Sequence, residues 1–120
     1  MLEIRVYFDD VLRYTISLGN TGQDTATNTI LSDNIPAWTT YVPNTLEVIS
    51  GPNAGHKTDA LSDDQAEYIP TGTPRVVFRL GNGASASAGG SVPFGLFTSM
   101  SFDVTVNAGI PSGTIITNSA

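Results

Sequence analysis

The chain has 120 residues, no cysteine and only 13% charged residues, about half the ordinary ~25%. Its formal net charge is -6, and its five basic residues, Arg5, Arg13, Lys57, Arg75 and Arg79, are scattered rather than clustered. No basic footprint exists for displacing counterions from nucleic acid, or for holding an anionic membrane surface.

A single histidine and no cysteine argue against a zinc site. The length suits one domain, 1–120, able to bury roughly two-thirds of its unfolded surface without disulfides or metal. No apolar run approaches the ~18 residues of a membrane span, so membrane insertion of this domain is not expected.

The stretch "LEIRVYF" alternates: Leu2, Ile4, Val6 and Phe8 point one way, Glu3, Arg5 and Tyr7 the other. Period two predicts a half-buried strand. After Asp9-Asp10, "VLRYTISLG" alternates again, with Leu12, Tyr14, Ile16 and Leu18 inward. "NTGQDTATN" then carries no large apolar side chain, and its Asn, Gly and Asp are turn formers. It is read as the connection between two strands. Strand character resumes in "ATNTILS" and ends before Pro36, which cannot donate to a ladder.

Pro43 and Asn44 interrupt the next run and leave "TLEVIS" as a strand. Residues 51–73 are rich in Gly, Pro, Asn and Asp, and read as a long loop with room for one helical turn near "LSDDQAE". "RVVFRLG" places Val76, Phe78 and Leu80 inward, with Arg75, Val77 and Arg79 outward. "GNGASASAGGS" is a small, polar connection. "SMSFDVTVN" turns Met100, Phe102, Val104 and Val106 inward against Ser101, Asp103 and Thr105. "TIITNSA" is read as a last strand.

Short strands with one wet face, separated by Gly/Pro/Asn turns, predict an all-β antiparallel sandwich of seven to eight strands. Both ends of the chain fall inside strand patterns, so a domain excised from a longer protein is expected.

The ordered series Tyr14-Thr15-Ile16, Asn20-Thr21-Gly22, Ala26-Thr27-Asn28, Asp33 with Pro36, and Thr40-Tyr41-Val42-Pro43 resembles a known family. It is similar to the conserved repeat domain of prokaryotic surface and exported proteins, domain of unknown function eleven. Leu80-Gly81, Gly95 and the closing "FDVTVNAGIPSGTIITNSA" extend the likeness over nearly the whole chain. Residues 51–73 follow no family pattern, and "SVPFGLFTSM" is more apolar than the usual Leu-Ala-Pro-Gly turn.

The resemblance implies an immunoglobulin-like sandwich, strung in tandem on cell-surface or secreted proteins, with neighbouring domains of the same chain as its partners. It implies no enzymatic activity and no cofactor. A structural spacer or stalk module, monomeric and extracellular, is therefore the expected function.

The alternative is an adhesion module for a cell-surface protein or carbohydrate. It would use Trp38 with loop 51–73 or the Phe94–Phe97 region, where Phe94, Leu96 and Phe97 offer an apolar patch; Trp38 and Tyr41 are the aromatics suited to stack on a sugar or partner. Aromatics anchor interfaces but also fill sandwich cores, and Trp38 is expected to pack at the sandwich end.

No catalytic, cofactor-binding or metal-binding residue is assigned. No serine sits in a Gly-x-Ser-x-Gly elbow, and His56 reads as a solvated loop residue. Asp59, Asp63, Asp64 and Glu67 offer oxygen ligands of the kind calcium takes, but not at EF-hand spacing. The lone lysine, Lys57, lies in a polar loop, so no intramolecular isopeptide bond is expected. No Asn-x-Ser/Thr glycosylation acceptor occurs.

Overall fold

The alternating runs form the strands of two antiparallel sheets. The computed structural model describes residues 10–109, 111 and 113–118; the run at 2–8 lies outside them. The strands are β1 (Val11–Gly19), β2 (Ala26–Asn34), β3 (Thr39–Tyr41), β4 (Glu47–Ser50), β5 (Gly55–His56), β6 (Ala66–Ile69), β7 (Arg75–Arg79), β8 (Gly90–Val92) and β9 (Phe97–Val106). No helix occurs among the described residues. The chain is an all-β, two-sheet, sandwich-like domain.

In the first sheet β9 is central. It pairs with β1 on one side, and on the other with β3 near Val104–Val106 and β4 near Ser99–Ser101. β5 extends this sheet beyond β4. The second sheet runs β6-β7-β2-β8. The inward residues of β9, from Met100 through Phe102 and Val104, are fully buried, and meet Leu46, Val48, Val76 and Phe78 in the core. Burying each such side chain contributes about 1.5–3 kcal/mol.

Consecutive strands β1 and β2 lie in different sheets, so the chain must cross the sandwich between residues 20 and 25. This accounts for the polar run. Asn20 holds the crossing: its Nδ2 donates to Asp24 O (2.8 Å) and Val92 O (2.7 Å), and its Oδ1 accepts from Gly22 N (2.9 Å). Its backbone N–H and C=O bond Leu96 O and Gly95 N. One side chain thus ties an inter-sheet crossing to the turn that feeds β9.

Five expectations are corrected. Residues 51–73 are not one long loop, because β5 and β6 lie within them. The stretch "LSDDQAE" forms turns and bends, then enters β6, with no helical turn. Arg79 does not face solvent; it is 7% exposed, held by Glu67 and Ser85 O. Ser101 and Asp103 are also buried, since β9 has neighbours on both sides. Finally, residues 114–118 form no strand. They lie against the sandwich through buried Ile116 and one side-chain bond, from Asn118 Nδ2 to Asp33 Oδ2 (2.7 Å).

One close approach demands glycine. At β8 the ladder with β2 is irregular between Ala26 and Thr29, and Asn28 has φ 49°. Gly89 lies so near that a Cβ there would sit 2.4 Å from Thr29 O.

Candidate functional site

The residues singled out for binding lie at two ends of the molecule. β9 runs from Phe97 to Val106. Phe94 and Phe97 stand at its start, 67% and 61% exposed, and Leu96 between them is half-buried. The Phe97 ring lies over Gly19, its register partner. A Cβ at Gly19 would fall 2.1 Å from Phe97 Cδ1, so the missing side chain is what lets the ring lie down.

Trp38 stands at the other end, where its C=O accepts from Asn107 N (2.8 Å). It is 47% exposed and has φ 70°. It is not packed away into the sandwich end as expected. A left-handed backbone on a bulky residue is strained, and such strain is found at functional positions. Trp38 and the Phe94–Phe97 turn therefore cannot belong to one surface. Tyr41 is no ligand platform: it is buried, stacks on Tyr68 with ring centroids 4.2 Å apart, and donates its hydroxyl to Asp59 Oδ1 (2.6 Å). Burial first, and that bond second, push its ionisation well above the ordinary tyrosine range.

The carboxylates of loop 51–73 do not gather. Asp59 also accepts from Asn44 N (2.9 Å), and Asp64 accepts from Thr58 N (2.8 Å) and Ala66 N (3.0 Å). Asp63 is bonded by the Thr58 hydroxyl. Glu67 pairs with Arg79. Among the described residues no three His, Cys, Asp or Glu side chains are placed to share a metal ion. His56 lies on β5 rather than in a loop, yet its side chain is well solvated, with Nε2 3.4 Å from Glu47 Oε1.

Three polar features were missed by sequence reasoning. Glu67 and Arg79 form an ion pair with side chains only 14% and 8% exposed, and Arg79 Nε also donates to Ser85 O (3.1 Å). Arg13 grips Asp103 through Nε (2.8 Å) and a second nitrogen (3.1 Å). The bond to Asp103, then its charge, raises the Arg13 pKa further.

The third is Asp33, which is 0% exposed on β2. Its Oδ2 takes the Asn118 bond, while Oδ1 has no partner among the described residues. Burial pushes its carboxyl above the usual range, against the lowering effect of Asn118. The negative charge of Asp33 also adds to burial in raising the Tyr14 phenol.

The signal for the first two was the spacing of opposite charges on strands that pair. It became readable only with the register: Arg13 lies opposite Asp103, and Glu67 lies diagonal to Arg79 across Val77.

The chain matches no known family, no curated protein and no solved structure.

Proposed function

We propose that this domain is an immunoglobulin-like structural module, a spacer that positions neighbouring domains of a longer exported or cell-surface protein. The observation that carries this reading is how the chemically capable side chains are used. Asn20, Asp33, Asp59, Asp64, Glu67 and Arg79 spend their hydrogen bonds on the chain itself, as ties between strands and turns. The residues that carry the resemblance to the surface-protein repeat domain are among these ties: Asn20 at the crossing, and Asp33 with Asn118 at the C-terminal segment. The elongated shape, 46 × 30 × 24 Å, suits serial stacking.

Two copies joined in series test this reading. Small-angle scattering should give an elongated particle whose maximum dimension is close to twice that of one module. A compact particle would overturn the spacer reading.

A binding role is the second reading, favoured by the exposed and backbone-strained Trp38. Titration with soluble glycans or cell-surface protein, followed by Trp38 emission, tests it. The expected signature is a saturable shift, and isothermal calorimetry should show the same binding in the parent and its loss in Trp38→Ala, with the melting temperature unchanged.

A further inference from the structure

We propose that the outer edge of β1 is a self-association surface, on which β1 of a second copy adds antiparallel to join two first sheets into one. β1 is nine residues long and pairs, among the described residues, only with β9. Its core-facing residues Leu12, Tyr14, Ile16 and Leu18 are only half-buried, while their register partners Val104, Phe102, Met100 and Thr98 are 0–1% exposed. Among the described residues, no strand covers the core face beyond β1.

Soluble proteins guard such edges with proline, outward lysines or bulges, and β1 has none: its pairing with β9 is unbroken from Val11 to Gly19. Its one charge, Arg13, is drawn back across the sheet to Asp103.

The ladder parity shows which backbone groups are free. Val106 N donates to Asp10 O, and Asn20 N donates to Leu96 O. Even-numbered positions therefore point their amides and carbonyls at β9, since hydrogen-bonded pairs alternate along an antiparallel ladder. Val11, Arg13, Thr15, Ser17 and Gly19 present theirs to the open side.

A two-fold axis at Thr15 pairs those same positions: Thr15 with the second copy's Thr15, Arg13 with Ser17, and Val11 with Gly19. This forms up to about ten ladder bonds with no like charges opposed. On the inner face Leu12 meets Leu18 and Tyr14 meets Ile16, aromatic–β-branched and aliphatic pairs that stabilise sheets. On the outer face Val11, 59% exposed, comes over Gly19, where the 61%-exposed Phe97 ring lies. One register thus covers two of the exposed apolar side chains at each end of the seam. The self-complementarity is what selects a second copy over an unrelated strand.

A one-strand seam is a small interface, of the size found in transient complexes. The full chain should therefore move from monomer to dimer in sedimentation equilibrium between about 10 µM and about 1 mM. Thr15→Lys, which opposes two cations at the axis, should stay monomeric over that range and melt within a few degrees of the parent. Opposed hydrogen-bonded residues have Cα atoms about 5.5 Å apart, within disulfide reach. Under mild oxidation Thr15→Cys should therefore cross-link at least about ten times faster than Ser32→Cys, an exposed control on β2, and does so whether or not the lysine variant folds.

A chain that remains monomeric at 1 mM overturns the proposal, as does a dimer indifferent to Thr15→Lys or equal cross-linking at both sites. So does a full-length monomer that dimerises only once residues 1–9 are removed, since the edge would then be filled from within. The single module is used throughout, so the outcome is independent of the tandem measurement.

Discussion

Asp33 shows how one residue can serve the fold at a cost. Its carboxyl is buried, tied to Asn118 through one oxygen and unpartnered among the described residues at the other. Desolvation raises its pKa in the folded state. Such a group contributes stability that is whole below the unfolded value of about 3.9, and that contribution is lost as pH rises through the folded value. Asp33→Asn removes the charge and keeps an oxygen for Asn118 to donate to. Urea denaturation should therefore show the variant gaining steadily on the parent as pH rises from 4 to 8. A difference that is constant with pH would refute the role given to Asp33. The sequence marked Asp33 through its resemblance motif, but not as a buried acid. Its partner lies 85 positions away, and no local pattern reports that distance.

At the scale of elements, the Glu67–Arg79 pair ties β6 to β7, and Arg79 also holds the connection after β7 through Ser85 O. Removing one partner strands the other charge in a nearly dry site, which costs about 3–5 kcal/mol. Glu67→Ala should lose stability in that range in urea denaturation. The pair replaced together, Glu67→Leu with Arg79→Met, should recover most of the loss, because apolar packing substitutes for a desolvated ion pair. Equal losses in the single and double variants would show that the pair is not the source.

The strands themselves were unevenly legible. β1, β7 and β9 carry five or more alternating residues, enough for period two to stand out. β5 has two residues and β6 four, set among Gly, Asp and Ser, and their ladders exist because β4 and β7 lie alongside. "TIITNSA" alternates convincingly, yet residues 114–118 make no ladder. Alternation requires one wet face and one dry face, and a segment can satisfy that by laying Ile116 on the core without pairing.

At the scale of the whole molecule, the loop carboxylates belong to turns rather than to a shared ligand sphere. Asp59, Asp63 and Asp64 each satisfy neighbouring donors, and Glu67 is engaged by Arg79. Millimolar calcium should leave the melting temperature within about 1 °C. A genuine site would stabilise the fold by ~2.7 kcal/mol at a hundred times its dissociation constant, a rise of several degrees that chelator reverses. That result would return the loop to consideration as a metal site. The same scale separates Trp38 from Phe94 and Phe97, at opposite ends of β9, so that any ligand would meet one set or the other.

The sequence by itself determined which face of β1, β7 and β9 turns inward, where the chain breaks for turns, and that the architecture is all-β. These follow from the two-residue pleat and from the backbone freedoms of Gly, Asn and Pro, which act within a few residues. Only the tertiary structure decided which strands are neighbours, that Arg79 and Asp103 are covered on their outward side, and that β1 pairs, among the described residues, on one side alone. Those outcomes depend on contacts between segments tens of residues apart. The cost of closing such contacts is met by the core as a whole, and no short window of sequence records it.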